Sequence, residues 1–115
     1  MSLATAHLVD HLRELQLLGA EQLTELAKSD LARLEPAALV QELGRRQWLT
    51  SFQGHQLLTG GDLVVGNYLL VDRIGAGAMG TVFKARHRKL GRRVALKTIN
   101  PGQREGSEAV QRFLR

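Results

Sequence analysis

Apolar residues recur at two different intervals along this chain. Through residues 1–60 the spacing is three and four, the interval that lines one face of a helix. Leu8, His11, Leu12 and Leu15 follow it first, with Gly19 as the stop, and Leu23, Leu26 and Ala27 continue it in a second helix. Pro36 suits the first turn of a third, carried by Leu39, Val40 and Leu43. Thr50-Ser51-Phe52-Gln53 has the form of a capping box opening a fourth, which Gly60-Gly61 ends. Four short helices with brief connections predict a small helical bundle, with Trp48, Leu49 and Phe52 in its core. No internal repeat or low-complexity tract is evident.

Beyond residue 60 the interval becomes two. Tyr68–Ile74, Thr81–His87 and Arg93–Ile99 read as strands, and the charged turn Arg88-Lys89-Leu90-Gly91-Arg92 makes the second and third an antiparallel hairpin. Pro101-Gly102 breaks the third strand, and Ser107 is placed to cap a last helix running through Val110 and Leu114. The fold class expected is therefore α+β, with a small helical module over 1–60 and antiparallel strands over 61–115.

Composition limits what these parts can be. There is no cysteine, which removes disulfides and thiolate metal sites and fits a reducing, cytoplasmic setting. No apolar run approaches the roughly 20 residues of a membrane span, and the N-terminus lacks the basic and apolar regions of a signal peptide. Charge is unevenly divided. Residues 1–60 carry five basic side chains against seven acidic ones, a net −2, and residues 61–115 carry eleven against four, a net +7. A basic half suits a phosphate-bearing partner, nucleic acid or nucleotide alike. The run from Arg86 to Arg93 has no interleaved aromatics for base stacking, so it reads as a solvated hairpin turn and no nucleic-acid partner is expected. His7 and His11 lie four apart on a predicted helix without a third ligand or a carboxylate motif, so no metal site is expected there.

Gly75-Ala76-Gly77-Ala78-Met79-Gly80 is G-x-G-x-x-G. Glycines remove Cβ atoms, so backbone N–H groups can come close to phosphate oxygens. A dinucleotide-binding turn requires a helix next, yet Thr81-Val82-Phe83 opens a strand. A P-loop requires Gly-Lys-Ser/Thr, and Gly80 is followed by Thr81. The third architecture is a strand–loop–strand hairpin with a lysine on the following strand, G-x-G-x-x-G-x-V and then V-A-I-K. Here it reads Gly75, Gly77, Gly80 and Val82, then Val94-Ala95-Leu96-Lys97, with Leu96 for Ile as the one departure.

On these residues the stretch from about 63 to 115 resembles the start of a bacterial serine/threonine protein kinase of the eukaryotic type. The first half resembles small helical modules that precede the kinase domain in some members of that family. The resemblance implies that 61–115 is an incomplete kinase small lobe, or N-lobe, and that its loop covers the phosphates of ATP. Ile74, Gly75, Ala76, Gly77, Ala78, Met79, Gly80, Thr81, Val82, Ala95 and Lys97 would then contact the nucleotide. Ile74, Val82 and Ala95 would line the adenine pocket, and Lys97 would pair with the α- and β-phosphates. It further implies transfer of the γ-phosphate to protein Ser/Thr, with Mg²⁺ held by ligands downstream.

The family's catalytic loop H-R-D-x-x-x-x-N and its D-F-G metal motif do not occur in these 115 residues. The glutamate that pairs with the lysine is expected on the next helix, just past Arg115, since Glu105 and Glu108 fall too early. The chain reads as a fragment that binds ATP weakly at most and transfers no phosphate. In that fragment the lysine strand would be left as an unpaired edge. The competing reading is a non-catalytic interaction module whose nucleotide fold is vestigial.

Overall fold

The computed structural model describes residues 1–78, 80–99 and 109–113, with Ile99 and 109–113 described through their backbone. The chain divides into two compact units, Met1–Gly61 and Asp62–Arg115. Among the described residues its architecture is α+β, four α-helices followed by an antiparallel sheet.

The first unit contains α1 (Leu3–Glu14), α2 (Ala20–Lys28), α3 (Pro36–Arg45) and α4 (Ser51–Thr59), with a short 3₁₀ helix, Asp30–Arg33, between α2 and α3. A leucine-rich cluster joins these elements: Leu8, Val9 and Leu12 from α1, Leu26 from α2, Leu31 from the 3₁₀ turn, and Leu39, Val40 and Leu43 from α3. Leu18 and Leu49 from the connections complete it, and Trp48 and Leu57 pack on its margin. Thr5 is fully buried, and its hydroxyl donates to the Leu34 carbonyl at 2.7 Å, fastening the start of α1 to the segment before α3. At the far end Arg46 reaches Glu25 of α2 at 3.3 Å. Trp48 is half-buried with the Arg46 guanidinium 5.4 Å above its ring.

Pro36 occupies the first turn of α3 as its fixed φ favours. Thr50 caps α4 with both halves of the box: its hydroxyl accepts from Gln53 N, and its own N–H donates to the Gln53 side chain, each at 3.1 Å. Gly60 ends α4 with φ 73°. Gly19, expected to stop α1, instead stands as the N-cap of α2, donating its N–H to Gln22 Oε1 at 2.9 Å. Having no side chain, Gly19 supplies only this half of a box. What stops α1 is Gln16, in the left-handed region at φ 58°. Gln16 N donates to the Arg13 carbonyl and Leu17 N to the Leu12 carbonyl, the paired bonds of a Schellman ending.

The same ending closes α3, where Gln47 has φ 62°, Gln47 N donates to Gly44 and Trp48 N to Leu43. The correspondence extends along the chain. Leu8, Val9, Leu12, Gln16, Leu18 and Gln22 recur at one constant interval as Leu39, Val40, Leu43, Gln47, Leu49 and Gln53. The α1–α2 and α3–α4 pairs are thus two versions of one helix–turn–helix design, a repeat that the bare apolar pattern does not reveal.

The described residues of the second unit form a five-stranded antiparallel sheet in sequential order: β1 (Val64–Val65), β2 (Tyr68–Gly77), β3 (Gly80–His87), β4 (Arg93–Ile99) and β5 (Ala109–Phe113). Leu63, Tyr68, Leu69, Leu70, Ala85, Val94 and Leu96 are buried. Two expectations from the sequence need correction. Residues 109–113 form a strand, where a helix through Val110 was expected; Ser107 and Leu114 lie outside the described residues. β4 is consequently an inner strand, pairing with β5 from Val94↔Phe113 to Thr98↔Ala109, and is not an unpaired edge. Satisfying one whole side of β4's backbone outweighs the weak helical spacing of a five-residue segment.

Candidate functional site

The glycine loop joins β2 to β3, with Gly77 paired to Gly80 across the turn that holds Ala78. Met79 lies outside the described residues. Gly80 has φ 154°, a backbone angle that side-chain-bearing residues rarely adopt. The strand leading in is bent twice. Register shifts between Leu70 and Asp72 and between Arg73 and Gly75 leave Val71 and Ile74 as extra residues opposite an otherwise continuous β3. At the second bend the Asp72 carboxylate accepts from Arg73 N at 2.9 Å.

Past the bends, three strands come into line. Gly75 lies opposite Val82, and Val82 lies opposite Lys97. Directly opposed residues share a face of the sheet with Cβ atoms about 5 Å apart, so Val82 and the stem of Lys97 stand side by side. Gly75 contributes no side chain to the row. A cleft of about 320 Å³ opens there, lined by Gly75, Ala76, Gly77, Ala78, Gly80, Val82 and Lys97.

Seven of the eleven expected contact residues therefore come together, and the strand geometry places three of the others. Ile74 is the bulged residue of β2, which takes it out of the alternation and leaves it 58% exposed, away from the lining. Thr81 is out of phase with Val82. It lies opposite Thr98, whose hydroxyl donates to the Thr81 carbonyl at 3.4 Å. Ala95 shares the Lys97 face but sits one pair further along, opposite Lys84, half-buried and outside the lining. Met79 is undescribed.

Among the described residues, Lys97 is the charged side chain that lines the cleft, and it is exposed. The carboxylates described in this unit are elsewhere: Asp62 precedes β1, and Asp72 lies opposite Lys84. Gly75 and Gly77 have ordinary negative-side φ, and a Cβ built on either meets nothing within 4 Å. Among the described residues, neither the backbone nor the packing requires glycine at these two positions. What their lack of side chains supplies is open approach to main-chain N–H groups beside a cation, a combination suited to a polyanion. Among the described residues no group of three His, Cys, Asp or Glu side chains is arranged to hold a metal ion.

A role for His87 escaped the sequence reading. Its ring stands edge-on to Tyr68 at 5.1 Å, and its Nδ1 accepts from the backbone N–H of Lys89 and Leu90 at 3.2 and 3.0 Å, which shapes the β3–β4 turn. Only its position as the last residue before a turn, where short polar side chains often cap backbone groups, could have signalled this.

Comparison with family models, with curated proteins and with solved structures finds no match to this chain. Among the described residues no helix is long and apolar enough to cross a membrane.

Proposed function

We propose that β2, the glycine loop, β3 and β4 form a clamp for the phosphates of ATP, the nucleotide-binding part of a protein serine/threonine kinase. The observation that carries this reading is the pair of glycines at 75 and 77, which the packing of the described residues does not need, lining one cleft with Lys97. Main-chain N–H groups of the loop approach the phosphate oxygens, and the Lys97 ammonium, a compact charge on a flexible stem, neutralises them. Val82 and the strand around it offer apolar contact to the base. Mg²⁺ would arrive as the nucleotide's own complex and be held by its phosphates.

The reading gives this chain binding and not transfer. Phosphoryl transfer depends on positioning and charge stabilisation by residues of the H-R-D and D-F-G type, which the 115 residues do not contain. Transfer of the γ-phosphate to protein Ser/Thr would be the work of a longer protein that supplied them. The strand at 109–113, standing where the family resemblance implies a helix bearing the lysine's carboxylate partner, favours weak binding.

The test is an NMR titration of the labelled chain with Mg·ATP into the millimolar range. Amide shifts should concentrate at residues 75–82 and 95–98. Gly75→Ala with Gly77→Ala should leave the spectrum of the free protein nearly unchanged while weakening the response. Shifts that spread evenly over the basic hairpin, or a double-alanine variant that binds as well as the parent, would refute the clamp.

A further inference from the structure

The turn between β3 and β4 is a second cationic feature, built separately from the cleft. From Lys84 to Lys97 the chain has Lys84, Arg86, Arg88, Lys89, Arg92, Arg93 and Lys97 and not one carboxylate. Five of these seven fall in the eight residues from Arg86 to Arg93, and all five are exposed. Arg86 lies directly opposite Arg93 on the ladder. Like charges so placed oppose strand pairing, so the fold tolerates a repulsion here that a mixed-charge surface would avoid.

The turn is also stiffly built. His87 N donates to the Arg92 carbonyl at 2.7 Å and Gly91 N to the His87 carbonyl at 2.9 Å, with Gly91 at φ 71°. Arg88 N donates to the Asn67 carbonyl of the neighbouring β1–β2 turn at 2.8 Å. With the two bonds to the His87 ring, the tip is held from both sides. At its apex stands Leu90, 67% exposed. A lone exposed leucine needs no explanation on most surfaces. On the summit of a rigid turn ringed by five cations it forms a specific pair of features, an apolar point and a positive collar.

We propose that this hairpin tip docks on an anionic lipid surface, with Leu90 entering the boundary between headgroups and acyl chains and Arg86, Arg88, Lys89, Arg92 and Arg93 bound to lipid phosphates. Peripheral membrane attachment combines these two contributions, buried apolar area and attraction to anionic headgroups. Nucleic acid would use the collar but has no use for the leucine. The tip offers no free aromatic for stacking, since the one ring present, that of His87, is engaged with Tyr68 and the turn backbone.

The experiment is co-sedimentation of the 115-residue chain with vesicles of phosphatidylcholine and of an equal mixture of phosphatidylcholine and phosphatidylglycerol, at physiological and raised salt. Binding should be confined to the anionic vesicles and weaken as salt rises. Arg86→Glu replaces a repulsive cross-strand pair by an attractive one, so the variant should fold at least as well while losing about thirtyfold in partition, two charge units near the surface. Leu90→Ser should lose about fivefold or more with charge unchanged, as the side chain's burial is forfeited. Equal binding to neutral vesicles, an Arg86→Glu variant that binds undiminished, or tighter binding to duplex DNA with no effect of Leu90→Ser would each overturn the proposal. Both variants keep the cleft residues intact, so failure here is separate from failure of nucleotide binding.

Discussion

Lys97 stands directly opposite Val82 across the β3–β4 ladder, an exposed residue whose apolar stem ends in an ammonium. Lys97→Met keeps that stem and deletes the charge. The variant should keep its thermal midpoint within a degree or two of the parent, as an exposed surface change does. Its affinity for Mg·ATP should fall about tenfold or more, because a hydrogen bond to a charged group is worth about 1.5–3 kcal/mol. A midpoint that drops with undiminished nucleotide binding would assign the lysine to packing instead.

Gln16 and Gln47 both hold left-handed backbone positions that a Cβ makes costly. Gln16→Gly and Gln47→Gly should each stabilise the helical unit by about 1 kcal/mol, less the extra freedom glycine gains in the unfolded chain. Calorimetry should show midpoints raised by a few degrees and nearly additive in the double variant, since the two endings form separate hydrogen-bond sets. A lowered midpoint in either would mean that the glutamine side chain contributes more than its backbone costs.

Gly54 lies in the interior of α4, where alanine is normally the better residue by about 1 kcal/mol. Here a Cβ would come within 2.7 Å of Val40 Cγ1 on α3. Gly54→Ala should therefore destabilise the unit by about 1–2 kcal/mol, overpacking outweighing propensity. Adding Val40→Ala removes the opposing methyl, so the double variant should recover part of that loss in a denaturant titration. Simple additivity of the two changes would show that the helices do not meet at this point.

β4 is flanked by β3 on one side and β5 on the other. Its amides from Val94 to Thr98 should all exchange slowly, whichever way each N–H points. An edge strand behaves differently, because every second N–H faces solvent. Hydrogen exchange followed by NMR distinguishes the two patterns directly, and fast exchange at alternate residues of 94–98 would remove β5 from the ladder.

The elements that announced themselves in the sequence were those with local causes. Pro36 sets the start of α3 through its fixed φ, and the Thr50–Gln53 box sets that of α4 through bonds made within a turn. The alternating segments of β3 and β4 and the glycine loop between β2 and β3 were legible in the same way. What stayed hidden depends on distant partners. β1 is only two residues long and exists through its pairing with Leu69 and Tyr68. β5 takes its conformation from β4, and Ile74 is turned out of the cleft by a bulge that no residue in the segment marks. The ends of α1 and α3 were obscured because glutamine fills a position where glycine is the usual signal.

The bends in β2 give the sheet an uneven response to changes in chain length. Val71 and Ile74 are already supernumerary against β3, so deleting one residue near either would straighten a bulge and leave the pairs beyond it in phase. From Gly80↔Ile99 to Arg86↔Arg93 the next ladder runs without interruption. An insertion or deletion there would turn every later side chain to the opposite face, carrying Val94 and Leu96 into solvent and Lys97 away from the loop. Natural variation in length should therefore gather between Leu70 and Gly75 and be absent from β3 and β4, a pattern of indels that homologous sequences would record.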